Sequence, residues 1–167
     1  ESFPGNVKVY IPPDSMLVQR VPGLEFLEKT GRIRLIDWKP KTPIKKNRYE
    51  LNYLLLDKQI PVYGFLYVGS KKKALICPDH SCFLLNAEPI PGLNLLIMNM
   101  GVLEDNRPEV TQFSNNLKMI EKFAPRQTAL THIEEHFGID SRCQKQIEQK
   151  DKTKNYSLAR DFQRIIV

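Results

Sequence analysis

Hydrophobic and polar residues alternate along most of the first hundred positions of the chain. A period of two is typical of β-strands that bury one face, and Pro and Gly separate the alternating runs. The pattern predicts seven strands, over residues 7–11, 32–38, 49–56, 62–68, 73–77, 81–86 and 93–100. The last of them is apolar almost throughout, so we expect it to be buried on both faces. Short strands at this spacing favour an antiparallel sheet that is barrel-like or sandwich-like.

Residues 14–31 show neither the strand period nor the helix period clearly. Leu24, Phe26 and Leu27 are interspersed with charged residues behind Gly23, which favours one short helix there. We expect Gly31 to end this helix, because glycine adopts the left-handed conformation of a helix C-terminus without a steric penalty.

After residue 101 the hydrophobic period lengthens to about 3.6, which is the period of an amphipathic helix. The first predicted helix ends before Pro125, and we expect its apolar stripe to be buried against the sheet. The residues of this stripe are Val110, Phe113, Leu117, Ile120 and Ala124. Further helices are predicted over 128–137 and 140–150, and a last apolar-periodic stretch begins at Ser157. The sheet should therefore be followed by three to four C-terminal helices.

These elements predict a single α+β domain over 1–167, with a β part near 1–101 and a helical part near 102–167. The chain has 167 residues, which is enough to bury a core without disulfides or metals. It contains no apolar run of about 18 residues that would span a membrane. Because it begins without Met or a signal peptide pattern, we interpret it as a domain excised from a longer protein.

Positive charge is concentrated in two short segments of the sequence. The chain carries 25 Lys and Arg against 19 Asp and Glu, a formal net charge of +6. The predicted binding residues of the two segments are Lys39, Lys41, Lys45, Lys46, Arg48, Lys71, Lys72 and Lys73. Pro40 and Pro43 predict that the first segment projects as an extended arm. The two segments would form one binding surface if both emerge at the same end of the sheet, and solvated loops are the alternative.

The predicted helices around Gly138 have the outline of a helix-turn-helix unit. The second of them carries Arg142 and Lys145, which suit contacts with phosphates and base edges. Glu134 and Glu135 on the first helix would repel phosphates. A plain helix pair without a nucleic-acid partner is therefore the alternative interpretation.

The three cysteines do not form a recognisable metal site or disulfide framework. Cys77 and Cys82 flank His80, but a structural zinc site takes about four converging ligands. The same residues lie at a predicted hairpin tip, where small turn-forming residues are expected in any case. We predict structural, reduced cysteines with no bound metal, and hence a reducing compartment.

No motif for catalysis is visible. His132 and His136 are four residues apart on a predicted helix, but Ile133 stands where a zinc protease needs glutamate. The sequence contains no phosphate-binding glycine loop and no serine nucleophile elbow. We therefore expect that the protein is not an enzyme and that it uses no cofactor.

The resulting hypothesis is a non-enzymatic interaction module of a larger intracellular protein, nuclear or cytoplasmic. Its partner would be an acidic or phosphorylated protein or a complex subunit, with no membrane involved. The alternative is nucleic-acid binding through the loop 39–48 and the hairpin tip 71–73. Strand aromatics that would suit stacking on single-stranded bases are Tyr49, Tyr53, Tyr63, Phe65 and Tyr67.

Overall fold

The structure is a computed structural model. It describes residues 7–13, 21–57, 61–79, 81–101, 113–133, 155–159 and 164–166. The chain divides into two compact units, Glu1–Pro43 and Ile44–Val167. The single domain over 1–167 remains a prediction, and each unit is described by itself.

The smaller unit contains two parallel strands and one short helix. Strand β1 (Val7–Ile11) pairs with β2 (Ile33–Asp37), and helix α1 (Leu24–Lys29) lies between them in the chain. Gly31 follows α1 with φ 70°, in the left-handed region. The predicted short helix and its glycine end are therefore confirmed.

Trp38 is the largest buried side chain described in this unit, at 5% exposure. Its indole Nε1–H donates to the carbonyl of Thr42 at 2.7 Å. Its ring meets Tyr10 edge to face, with 6.2 Å between the centroids. Trp38 is also the only tryptophan of the chain, so its fluorescence reports on this unit alone.

The larger unit is built on one mixed sheet of seven strands in sequential order. The strands are β3 (Ile44–Lys46), β4 (Tyr49–Asp57), β5 (Val62–Gly69), β6 (Lys73–Cys77), β7 (Leu95–Gly101), β8 (Gln127–Ile133) and β9 (Tyr156–Leu158). Neighbours from β3 to β6 are antiparallel, whereas neighbours from β6 to β9 are parallel. The sheet is open between its short edge strands β3 and β9, so the expected antiparallel barrel is wrong.

The parallel half arises because helical segments return the chain between strands, as parallel pairing requires. A 3₁₀ helix (Ser81–Asn86) stands between β6 and β7, where the alternation predicted a strand. Helix α2 (Phe113–Phe123) stands between β7 and β8. Strand β7 is buried on both faces, as predicted from its apolar run.

Helix α2 confirms that a helix precedes Pro125, and it packs beside β7 and the 3₁₀ helix. From the predicted stripe, Phe113 and Ile120 are buried and Leu117 is half-buried. Ala124 is exposed just beyond the helix, with φ 42°. Val110 lies outside the described residues.

The predicted helix over 128–137 is wrong where the structure describes it, because residues up to Ile133 form strand β8. Thr128 and Thr131 are β-branched, which favours the strand, and β8 is paired on both sides by β7 and β9. Residues 140–150 lie outside the described part. The described residues thus contain the two α-helices α1 and α2, rather than several C-terminal helices.

The core of the larger unit lies between the sheet and α2. Its fully buried apolar side chains include Leu75, Leu84, Leu96, Met98, Met100, Met119 and Leu130. None of the helices in the described part of the chain is long and apolar enough to cross a bilayer.

Candidate active site

The positions of three polar residues lie at one edge of the sheet because β6, β7 and β8 run parallel. Asp79 follows the end of β6 by two residues, and Asn99 lies near the end of β7. Asn99 pairs in register with Thr131, so His132 is placed at the same edge on β8. Ligands of open sheets bind beyond the carboxyl ends of parallel strands, which makes this edge the candidate site.

Asp79 is tied to the sheet by a side-chain hydrogen bond. The amide Nδ2 of Asn99 donates to Oδ1 of Asp79 across 3.3 Å. Asn99 is only 4% exposed, whereas Asp79 is exposed. A buried amide in a strand interior needs a hydrogen-bond partner. The contact therefore holds one oxygen of the Asp79 carboxylate in place, and the residue remains exposed to solvent.

Two further hydrogen bonds hold the elements around this edge. The hydroxyl of Thr131 donates to the carbonyl of Met98 at 3.3 Å, which ties β8 to β7. The amide Nδ2 of Asn116, which is fully buried, donates to the carbonyl of Met100 at 2.9 Å. Helix α2 is thereby fixed to the last residues of β7.

Among the described residues, Asp79 has the surroundings of a single metal ligand, but no complete set of metal ligands is present. Catalytic zinc takes about three protein ligands, and ligating carboxylates are themselves hydrogen-bonded by outer residues. Asp79 with Asn99 has this arrangement. Within the described ranges, no three His, Cys, Asp or Glu residues are grouped closely enough to hold a metal.

His132 lies in a strand rather than in the helix predicted from the sequence. His132 is the penultimate residue of β8, so the predicted helical face shared with His136 is wrong for His132. His136 and His80 lie outside the described part of the chain. Residues 128–133 are mostly apolar or β-branched, which is compatible with a buried strand. A run this short is equally compatible with a helix, so the sequence could not decide between them.

Cys77 is a structural thiol. It is fully buried, and burial raises its pKa from about 9.0 to about 12, so it stays protonated at neutral pH. Its Sγ would lie 2.8 Å from a Cβ on Gly64, so the two residues pack in direct contact. The side chain of Cys82 lies outside the described part of the structure.

The two predicted basic segments do come close in the larger unit. Tyr49 pairs with Gly69, so the turn between β3 and β4 lies beside the turn between β5 and β6. The exposed basic residues of these turns are Lys46, Arg48, Lys71 and Lys72. Residues 44–46 are strand β3, so the expected extended arm is wrong there, because Ile44 pairs with Leu51.

The remaining predicted binding residues make other contacts, belong to the smaller unit or lie outside the described residues. Lys45 forms an ion pair with Glu50 at 3.1 Å, and Lys73 donates to the carbonyl of Pro91 at 2.8 Å. Lys39 and Lys41 belong to the smaller unit. The predicted contacts of Arg142 and Lys145 lie outside the described residues.

This basic end is opposite the candidate site. Strand β6 begins at Lys73, beside the basic turns, and Asp79 lies six positions later, beyond its other end. At about 3.3 Å per residue the two are roughly 20 Å apart. The basic turns and Asp79 therefore do not contact the same small molecule.

No protein-family model matches this sequence, and no curated protein matches it. Solved structures do match. The metallo-β-lactamase fold protein YhfI from Bacillus subtilis aligns with a TM-score of 0.64 at 14% identity, over 93% of this chain and 63% of its own. Zn²⁺-bound PqqB from Methylobacterium extorquens aligns with a TM-score of 0.64 at 11% identity, over 92% of this chain and 60% of its own.

A diphosphatase of the PhnP family aligns with a TM-score of 0.60 at 18% identity, over 95% of this chain and 57% of its own. The chain therefore has a metallo-β-lactamase-like fold. It spans less than two thirds of the length of these three similar structures. At such low identity the likeness concerns the fold alone.

This fold corrects the functional expectations drawn from the sequence. The non-enzymatic docking module, its nucleic-acid-binding alternative and the expectation of no enzyme are contradicted by a set of similar folds that includes a diphosphatase. The expected protein partner without a cofactor is contradicted by a similar fold that carries Zn²⁺. The sequence did not point to the candidate site because its residues lie on separate strands and form no local motif.

Proposed function

We propose that the chain contributes to a metal-dependent hydrolase of phosphate esters, with its site at the carboxyl edge of β6, β7 and β8. The observation that carries this proposal is the exposed Asp79 carboxylate held by the buried Asn99 amide at that edge. The fold supports it, since a diphosphatase and a Zn²⁺-bound protein share the fold.

In this proposal each residue has a separate role. Asp79 is an oxygen ligand, and Asn99 orients it by donating to one carboxylate oxygen. His132 is the candidate nitrogen ligand, by its place near the end of β8. When bound, a divalent metal ion acts as a Lewis acid that polarises a phosphoryl oxygen.

The test is metal binding and hydrolysis in the full-length protein that carries these residues. Zn²⁺ and Mn²⁺ affinity is measured by calorimetry, and hydrolysis is measured with bis(4-nitrophenyl) phosphate. Asp79→Asn should weaken metal affinity by more than the roughly 10–100-fold that losing an outer partner costs, and should abolish hydrolysis. The matched control Asp37→Asn changes an exposed carboxylate of the smaller unit and should leave both unchanged. Equal metal binding by Asp79→Asn and the parent would refute the proposal.

Two predictions from the sequence stay proposals. We infer an intracellular location, nuclear or cytoplasmic, from cysteines that match no disulfide framework. We also propose that the exposed cations Lys46, Arg48, Lys71 and Lys72 bind an anionic group at the end of the sheet away from Asp79. Fluorescence microscopy of a tagged full-length protein tests the location. The anion-binding proposal is tested by comparing the salt-dependent binding of inorganic polyphosphate by the parent and by the Lys46→Glu/Lys72→Glu variant.

A further inference from the structure

An apolar groove of about 380 Å³ lies on the helical side of the sheet in the larger unit. Its apolar wall is formed by Leu54, Leu56, Leu66, Leu84, Ile90 and Phe123. These residues come from β4, β5, the 3₁₀ helix with the segment after it, and the last residue of α2. The volume falls in the range of small-molecule sites, which are mostly apolar with a few polar groups.

The groove has a buried floor and an open mouth. Leu84 is fully buried and Phe123 is 4% exposed, so the floor is continuous with the core. Leu54, Leu56 and Leu66 are half-buried where they line the groove. An apolar ligand seated here would remove their remaining exposed surface from water, which stabilises the complex.

The charged residue among the described lining residues of the groove is an acid. The described polar lining residues are Asn86 and Glu88, both exposed. Lys122 is not a lining residue, and its Nζ donates to the carbonyl of Leu85 at 2.7 Å. The described lining residues include the carboxylate of Glu88 and no cation. This charge disfavours binding of an anionic chain and is compatible with a neutral or cationic one.

The groove lies near the candidate active site. A Cβ built on Gly64 would be 3.5 Å from Cδ1 of Leu56 and 2.8 Å from Sγ of Cys77. Asp79 follows Cys77 by two residues. Adding these distances, Cδ1 of Leu56 and Cα of Asp79 are at most about 16 Å apart. The groove and the carboxyl edge of β6 are therefore separated by no more than about the length of one extended alkyl phosphate.

We propose that this groove binds an aliphatic chain that carries no negative charge, and that the chain is the alkyl group of the substrate's ester. The second half of the statement rests on the proposed hydrolase function, and the first half does not. The substrate class becomes alkyl phosphate esters, with the phosphate at the carboxyl edge and the chain along Leu56 and Leu66.

Direct binding tests the groove without any hydrolysis. Octylamine, octanol and octanoate are compared as competitors of the neutral fluorescent probe Nile red on the full-length protein. We expect octylamine to displace the probe best and octanoate worst, because of Glu88. Octanoate as the best competitor would overturn the proposal.

Variants tie the binding to this groove. Ala87→Trp fills it and should weaken binding of octylamine at least about tenfold, whereas Lys118→Trp adds the same ring to the exposed face of α2 and should not. Glu88→Lys changes only an exposed side chain, so it folds even where Ala87→Trp does not, and it should reverse the order of octylamine and octanoate. An unchanged order would overturn the proposal.

Hydrolysis separates the two proposals. For ethyl and octyl esters of 4-nitrophenyl phosphate, we expect a KM about tenfold lower for the octyl ester, with a similar kcat. Equal KM values would overturn the assignment of the groove to the substrate. Octylamine binding by a protein that hydrolyses neither ester would leave the groove in place and refute the hydrolase.

Discussion

Asn99 is a polar residue inside an apolar strand, and its contact with Asp79 links the core to the site. It lies 20 positions from Asp79, so the contact exists only because β6 and β7 are neighbours. An aspartate in its place would put a second carboxylate against Asp79, whereas the amide donates a hydrogen bond to it. The identity of this residue therefore matters to the site even though Asn99 is nearly inaccessible.

Asn99→Leu removes the donor while keeping the volume of the side chain similar. We expect metal affinity to fall about 10–100-fold, because outer partners of metal ligands contribute that much. Calorimetric titration with Zn²⁺ measures it. Thr131→Val is the control, since Thr131 donates to Met98 rather than to Asp79. An effect of the same size in both variants would show that Asn99 acts only on the stability of the sheet.

Gly64 on β5 packs against the side chain of Cys77 on β6. A Cβ at Gly64 would meet Sγ of Cys77 at 2.8 Å and the carbonyl of Ile76 at 3.2 Å. Gly64→Ala should lower the free energy of unfolding by about 1–3 kcal/mol through overpacking. Urea denaturation measures the effect. The loss should be smaller in a Cys77→Ala background, and strict additivity would contradict the pairing.

The buried thiol of Cys77 makes stability depend on alkaline pH. Its pKa is raised to about 12 in the folded chain from an ordinary value near 9.0. The unfolded thiol therefore loses its proton first, so the contribution is complete below about pH 9 and declines as pH rises toward 12. Relative to Cys77→Ala, the parent should lose roughly 1–2 kcal/mol of stability between pH 7 and pH 10. A pH-independent difference between the two proteins would contradict this assignment.

At the scale of elements, α2 shows what a local period predicts well. Its spacing of apolar residues indicated a helix before Pro125, and a helix is present over Phe113–Phe123. The buried set differs in part from the predicted stripe, because Asn116, Met119 and Phe123 are also buried. Asn116 is polar, so a count of apolar residues could not include it.

Phe113→Ala should destabilise the protein by about 3–5 kcal/mol, as for other buried aromatic truncations. Phe113 is 3% exposed, and its ring meets that of Tyr156 at 5.8 Å. Denaturant titration measures the change. Ser114→Ala, on an exposed position of the same helical turn, should stay within about 0.5 kcal/mol. Similar stability of the two variants would mean that Phe113 is not part of the core.

Strand β8 shows the opposite case. A run of six residues with both helical and strand character takes its state from its neighbours, and here β7 and β9 pair with it on both sides. Pairing of the central strand outweighs a weak local preference for helix. The position of His132 in a strand followed from that pairing and from no feature of its own surroundings in the sequence.

At the scale of the whole molecule, the relation between the two units decides whether the chain unfolds once or twice. The smaller unit has 43 residues and two buried hydrophobic side chains among those described, Ile11 and Trp38. A unit of about 40 residues without disulfides or metals is rarely stable by itself. This favours the single domain predicted from the sequence.

We therefore expect one transition. Fluorescence of Trp38 follows the smaller unit, and far-ultraviolet circular dichroism mainly follows the larger one. The two signals should give the same midpoint in a urea titration, which is the test for cooperative unfolding. Separate midpoints would show two independently folding domains. Trp38→Phe serves as the control that the fluorescence change comes from this residue.

The sequence by itself determined most strands of the sheet, the short helix α1 and the helix before Pro125, because hydrophobic periods of two and 3.6 are properties of neighbouring residues. Strand direction depends on how the chain returns between strands, so only the tertiary structure showed the parallel half of the sheet. The same applies to the candidate site. Asp79, Asn99 and His132 share no local motif, and only the parallel alignment of β6, β7 and β8 brings their positions to one edge.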